Sequence, residues 1–147
     1  LTALPKSSFR RGAAIVDTPR LGKLRVVGVH PCNPYCPVGL WAEEADRLRG
    51  WLEERDQSVP TVVAGDFNAV DDHLTMRELY GDGFRSAADL AGAGFVRTWP
   101  ANRALPPMIG IDHVLVDGRL TATAFSTFSV PLTDHLGVRA VIAGTSG

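Results

Sequence analysis

Long apolar runs are missing from this chain of 147 residues, and none approaches the roughly 18 residues that a membrane-crossing helix requires. Cysteine is scarce. Two residues exclude a disulfide framework of the kind that holds small secreted domains together. Neither sign of charge dominates either, since 15 Lys and Arg against 16 Asp and Glu leave a formal net charge of −1. That balance argues against a dedicated nucleic-acid binder, whose affinity comes from an excess of cations paired with phosphates, but leaves room for an enzyme that touches a few of them. The G-x-S-x-G elbow, the P-loop and the G-x-G-x-x-G fingerprint are all absent, which removes the usual sequence support for a serine hydrolase or a nucleotide cradle. No repeat, low-complexity tract or linker interrupts the chain. The first residue is Leu1 and no signal-peptide pattern follows it, which reads as a processed or truncated chain.

What remains is 45% hydrophobic and 21% charged, the composition of a folded domain with one core. Ala13–Asp17 and Leu24–Val29 are β-branched-rich runs separated by a Pro- and Gly-containing turn, which predicts a hairpin. Trp41, Ala45, Leu48 and Leu52 recur at helical spacing with Glu43, Glu44, Arg47 and Glu54 between them. An amphipathic helix is expected from about Val38 to Arg55, with Trp41 and Trp51 as core anchors. Thr61–Gly65 fits a strand buried on both faces. Residues 72–80 and 85–91 read as short helices, the first capped by Asp72 and the second stopped by Gly92 and Gly94. Phe95–Trp99 is a further expected strand. Asp117-Gly118 between Ile111–Val116 and Arg119–Phe128 is a strong hairpin signal, and a last strand is expected over Leu136–Ala143, with Val138, Ala140 and Ile142 on one face.

Two local features have open readings. Residues 1–25 carry Lys6, Arg10, Arg11, Arg20, Lys23 and Arg25 against Asp17 alone, either as a phosphate- or membrane-facing edge or as charges that keep a strand pair soluble. Cys32 and Cys36 flank Asn33-Pro34-Tyr35 as free thiols, as a local disulfide, or, with His30, as three ligands of a zinc site lacking its fourth.

The polar residues of chemical interest lie where β-type runs meet loops: His30 after Leu24–Val29, Asp66 and Asn68 after Thr61–Gly65, Asp112-His113 at the start of a strand, and Asp134-His135 before the last one. A carboxylate beside an apolar strand is costly to desolvate unless it is paired, hydrogen-bonded or metal-bound, so several at strand ends point to one shared site. Carboxylates for a hard cation, an amide to orient a phosphate and histidines to donate to phosphoryl oxygens suit metal-assisted phosphoester hydrolysis.

Gly65-Asp66-Phe67-Asn68-Ala69, Ile111-Asp112-His113-Val114-Leu115-Val116 and Thr133-Asp134-His135-Leu136-Gly137-Val138, in that order and with Val29-His30 upstream, resemble the endonuclease/exonuclease/phosphatase superfamily, which includes deoxyribonuclease I. The resemblance implies an α/β fold: over residues 1–147, the C-terminal half of a four-layer α/β sandwich of roughly 250 residues, mainly antiparallel sheet with helices on one face. It implies that Asp66 orients or deprotonates the attacking water and that Asn68 helps hold water and phosphate. Asp134 becomes a ligand of Mg2+ or Mn2+, and His135 donates to the phosphorane-like charge with its tautomer held by Asp112. His30 contacts the scissile phosphate or leaving oxygen, whereas His113 points to the opposite strand face and is structural. Thr133 stands where Ser is usual. The family's first half supplies an Asn and a metal-binding Glu, and no Glu precedes His30, so an isolated chain with weak metal binding, little activity and a sheet face open to a missing half or to self-association is expected.

The substrate expected is a lipid-linked or other small phosphoester rather than nucleic acid. The Thr98-Trp99-Pro100 loop with Pro106-Pro107 is similar to exported or membrane-associated bacterial members. The alternatives are a non-catalytic association module and a nuclease acting on DNA.

Overall fold

A computed structural model describes all residues except 1–3, 5, 9, 10, 38, 103, 105, 146 and 147. The readings placed on the extreme N-terminus, on Arg10 and on a helix start at Val38 therefore fall wholly or partly outside the described residues.

The chain builds a five-stranded sheet and a two-stranded one. Strands β1 (Gly12–Thr18) and β2 (Gly22–Val29) form the expected hairpin, whose turn is closed by the Thr18 hydroxyl: it accepts from Leu21 N at 3.0 Å and donates to Gly22 O at 2.9 Å. Helix α1 (Leu40–Glu54) then carries the chain over to β3 (Thr61–Asp66), which pairs parallel to β2. Helix α2 (Leu74–Gly81), the two-residue strand β4 (Arg85–Ser86) and the short helix α3 (Ala87–Leu90) follow. Strand β5 (Asp112–Val116) inserts antiparallel between β3 and β4, completing the order β1-β2-β3-β5-β4. The last two strands, β6 (Leu120–Ser129) and β7 (Leu136–Gly144), pair only with each other.

Strand alternation divides the large sheet into two faces. Val27, Val29, Val63 and Leu115 meet Leu48 and Leu52 of α1 and Met76 and Leu79 of α2 on one face. Leu24, Val62, Val114 and Val116 meet Ala87 of α3 and Leu120 and Ala122 of β6 on the other, where Val138, Ala140 and Ile142 of β7 also pack as their spacing predicted. The sheet is mainly antiparallel, as expected, with both long helices on one face; α3 lies on the opposite one. Trp41 and Trp51 pack against the helix-side core. Among the described residues no helix is long and apolar enough to cross a membrane.

Several expectations are corrected. Ile111–Val116 and Arg119–Phe128 do not form a hairpin, because β5 has β3 on one side and β4 on the other and offers no free edge. Asp117 instead binds back to β3: its carboxylate accepts from Thr61 N at 2.7 Å and its amide donates to Thr61 O at 3.1 Å, so the chain leaves the sheet plane and β6 starts a second layer. Phe95–Trp99 is not a strand; Trp99 makes only an isolated bridge to Ile109. His73, not Asp72, stands at the start of α2, and the stretch 85–91 is shared between β4 and α3, with Ser86 capping α3 through Asp89 N at 3.4 Å. Arg25 does not solvate an edge. It is buried, and its guanidinium donates to Asp56 O at 3.0 Å and Thr61 Oγ1 at 3.2 Å. Glu44, grouped by sequence with the polar residues of α1, is also buried. Its place four residues before Leu48 puts it on the apolar stripe, a signal visible in the spacing.

Candidate active site

Register alone assembles the floor of the site. Val29 pairs with Gly65, and Asp66 pairs with Asp112. The next residue of β2's path, His30, thus lies beside Asp66, and the three side chains form a row on one sheet face at the end where parallel β2 and β3 finish and antiparallel β5 begins. His30 Nε2 lies 3.5 Å from Asp66 Oδ2. His113, one residue on from Asp112, is on the opposite face, as its parity requires. There it is buried, with Nε2 2.8 Å from Ala69 O and its ring edge-on to Phe67 at 5.6 Å.

The turn after β3 is equally constrained. Gly65 has φ +149°, and a Cβ there would sit 2.0 Å from Val29 O, so only glycine lets β3 approach β2 so closely. Asp66 Oδ1 then accepts from Asn68 N at 2.8 Å, which stabilises the positive φ of 50° at Asn68. Asn68 in turn donates its amide to Pro31 O at 3.0 Å, tying the GDFN turn to the loop that follows His30.

The fourth member arrives from the other sheet. His135, just before β7, places Nδ1 2.9 Å from Asp112 Oδ2 and Nε2 3.8 Å from Asp66 Oδ2. Its amide donates to Thr133 Oγ1 at 3.2 Å, so threonine fills the role of the usual serine hydroxyl. Asp134 lies at the margin: Oδ1 is 3.9 Å from His135 Nε2, and Oδ2 accepts from the indole of Trp99 at 2.9 Å. His30, Asp66, Asn68, Asp112, Asp134 and His135, far apart in sequence, thus line one cleft of about 800 Å³.

Burial pushes the Asp66 carboxyl above its ordinary value; the Asn68 amide opposes this and neighbouring Asp112 adds to it. A cation beside these two carboxylates would offset their repulsion. Donor atoms of Asp66, Asp112 and His135 lie within 4.8 Å of one another. Two carboxylate oxygens suit a hard divalent cation, so the residues present fit one; Asp134, the ligand implied by resemblance, stands outside this tightest trio.

Some contributors were not recognised in the sequence. Thr98 is fully buried, and its hydroxyl accepts from Ile111 N at 3.2 Å and Asp112 N at 3.3 Å. Thr98 O takes Leu136 N at 2.8 Å, and Ala101 N donates to Asp134 O at 2.7 Å. Residues 98–101 therefore hold the strands bearing Asp112 and His135 together, a role no local motif announces. On the opposite wall, Cys32 and Cys36 are joined in a disulfide, so neither free thiols nor a zinc site with His30 is formed. Glu44 holds this loop by accepting from Cys32 N at 2.8 Å while also binding Ser7 and Ser8 at 2.7 Å.

A mixed α/β fold thus carries a strand-end row of two aspartates and two histidines. The chain belongs to the Endonuclease/Exonuclease/phosphatase family, whose pattern matches residues 4–135. Members of this family are metal-dependent phosphoester hydrolases, nucleases and phosphatases among them. No curated protein sequence matches the chain. Among solved structures, an endonuclease/exonuclease/phosphatase from Beutenbergia cavernae is similar at 22% identity and a TM-score of 0.73, over 91% of this chain and 39% of that one. The human Nocturnin catalytic domain with bound sulfate is similar at 18% identity and 0.70, over 92% and 52%. A mannosyl-6-phosphatase from Bacteroides thetaiotaomicron is similar at 16% identity and 0.65, over 82% and 51%. These likenesses show the fold, and the chain spans about half the length of these structures or less.

Proposed function

We propose that these residues form most of the active site of a Mg2+- or Mn2+-dependent phosphoester hydrolase that uses in-line attack by water. The observation that carries this reading is the convergence of Asp66, Asp112 and His135 within 4.8 Å at one end of the sheet. The bound cation would neutralise phosphoryl charge and be held by Asp134 with the neighbouring floor carboxylates. Asp66 takes the proton of the attacking water, and Asn68 holds water and phosphate. Asp112 accepts from His135 Nδ1 at 2.9 Å, which turns Nε2 toward the floor, and in the doubly protonated imidazolium Nε2–H donates to the phosphoryl oxygens as charge builds. His30, the outermost of the row, meets the scissile phosphate or the leaving oxygen.

In this reading the 147 residues correspond to the second half of the family's two-half sandwich, supported by their coverage of 39% to 52% of the three structures named above. A glutamate ligand from the other half then completes the metal site, and the present residues bind metal weakly and turn over slowly by themselves. A small or lipid-linked phosphoester in an exported or membrane-associated setting is favoured over DNA by the net charge of −1. A second reading, association through the open sheet face, is favoured by the exposure of Val16 and Val26 at the β1–β2 end of the large sheet. A monodisperse monomer in solution would count against it.

The test is hydrolysis of bis(p-nitrophenyl) phosphate by the chain and by any longer form that contains it. Metal-dependent turnover is expected, reduced by roughly 100- to 1,000-fold in Asp66→Ala and His135→Ala. A rate indifferent to chelator and to both substitutions would overturn the reading.

A further inference from the structure

We propose that the disulfide-closed loop 32–36 is a binding platform for an uncharged planar ring in the leaving group of the phosphoester, with Tyr35 as the stacking surface. This rests on the reading of the site as a phosphoesterase and narrows its substrate class.

Tyr35 is 95% exposed, yet it lines the same cleft as Asp66, Asp112 and His135. An aromatic side chain left in water is ordinary on a mobile surface, but the backbone that presents Tyr35 is held on both sides of it. Cys36 N donates to Asn33 O at 3.0 Å, which closes a turn with Pro34 preset at its second position. Tyr35 N donates to Asn33 Oδ1 at 3.0 Å, the Cys32–Cys36 bond ties the ends, and Glu44 holds Cys32 N at 2.8 Å. A tyrosine so fixed offers contact area at little entropic cost, which is how rigid aromatic anchors bind ligands.

The chemistry of the cleft changes from floor to mouth. The floor holds the carboxylates and histidines that fit one phosphoryl group and a cation. Beyond it lie Tyr35, Val70, Trp99 and Ile109, and no lysine or arginine lines the cleft among the described residues. A strand of nucleic acid lays several phosphates along its site and needs cations to meet them. Among the described residues no lysine or arginine of the lining is there to meet a second phosphate. One charged group inside and an uncharged ring outside match the lining, and the two aromatic residues favour a planar ring over a flexible alkyl chain.

The experiment measures binding of three non-hydrolysable phosphonates to the chain in the presence of Mg2+: phenyl-, n-hexyl- and methylphosphonate. Phenylphosphonate is expected to bind roughly five- to tenfold more tightly than methylphosphonate and more tightly than the hexyl compound. Tyr35→Ala removes that preference, Tyr35→Phe keeps it, and reduction of the disulfide, verified by counting two thiols, at least halves it. Circular dichroism controls for folding, although so exposed a side chain is not needed for it. If all three compounds bind and His135→Ala abolishes binding, but the ring gives no advantage, or hexylphosphonate binds as tightly, or Tyr35→Ala changes nothing, the platform is overturned and the phosphoesterase reading stands. If none binds to the chain or to a longer form that contains it and supplies the glutamate ligand, both fall.

Discussion

The floor and the walls of the cleft are built by different means. His30, Asp66 and Asp112 stand in a row because three hydrogen-bonded strands share a register, so their relative positions are enforced by the same backbone ladder that fills the core with Val27, Val63 and Leu115. The walls, at 32–36, 98–101 and 133–135, have no ladder and depend on separate attachments: Glu44 on Cys32 N, Asn68 on Pro31 O and Thr98 on Asp112 N reach backbone groups, the Trp99 indole reaches the Asp134 carboxylate, and Cys32 is bonded to Cys36. A residue in the floor can be displaced only by disturbing the sheet, whereas a wall can be loosened one bond at a time. The groups assigned to the chemistry lie mainly on the ladder, and Tyr35, assigned to the rest of a substrate, lies on a loop closed by the Cys32–Cys36 bond and tied to Glu44.

Substitutions that separate the two regions follow this order of effect. Gly65→Ala breaks the floor, because the added methyl meets Val29 O at 2.0 Å and the backbone there is in the left-handed region. A loss on the order of 3 kcal/mol or more is expected in urea unfolding, with the β2–β3 pairing disrupted. A result within 1 kcal/mol of the unchanged chain would show that the floor yields as readily as the walls.

Glu44 tests the firmest wall attachment. Burial acts to raise its carboxyl, but hydrogen bonds from Ser7, Ser8 and the amides of Cys32 and Ser8 outweigh burial and hold it at about 2, against an ordinary 4.5. Its folded-state value is depressed, so the stability it contributes is complete above about pH 4.5 and is lost as pH falls toward 2. Glu44→Gln should therefore lower the urea midpoint at pH 6, with the gap to the unchanged chain closing by pH 2.5. A gap independent of pH would remove the carboxylate from the account.

Trp99→Phe makes the smallest change, keeping the ring and deleting the N–H that holds Asp134 Oδ2 at 2.9 Å. About 1 kcal/mol of stability and roughly a tenfold loss of Mn2+ affinity, read by calorimetric titration, are expected. An unchanged affinity would mean that the wall does not position Asp134 for metal.

Much of the floor was legible in advance. β-branched runs, the turn residues around Thr18 and Gly22, and the GDFN, IDHV and TDH motifs located the strand ends and their polar residues, because each signal is local. Parity was enough to send His113 away from Asp112. The Asp117-Gly118 hairpin failed for the complementary reason: a two-residue turn describes the chain's local bend but not whether the strand before it has a free edge, and β4 had already taken that edge. Glu44 and Arg25 were placed with the solvated charges because composition registers their charge and not the backbone carbonyls, amides and hydroxyls that satisfy them when buried. Thr98 stands in a loop noted from the sequence, but its role is not visible there, since its contribution is one hydroxyl shared by two distant amides.

The sequence by itself determined that this chain carries little net charge, which residues end its strands, and which family its motifs resemble, since spacing acts over neighbouring residues. Only the tertiary structure decided that β5 sits between β3 and β4, that Asp66, Asp112 and His135 meet within 4.8 Å, and that Cys32 is bonded to Cys36. Those facts depend on strand order and on contacts between residues up to 69 positions apart, as Asp66 and His135 are. Strand order is chosen by the burial of two sheet faces at once, a condition no local stretch of sequence contains.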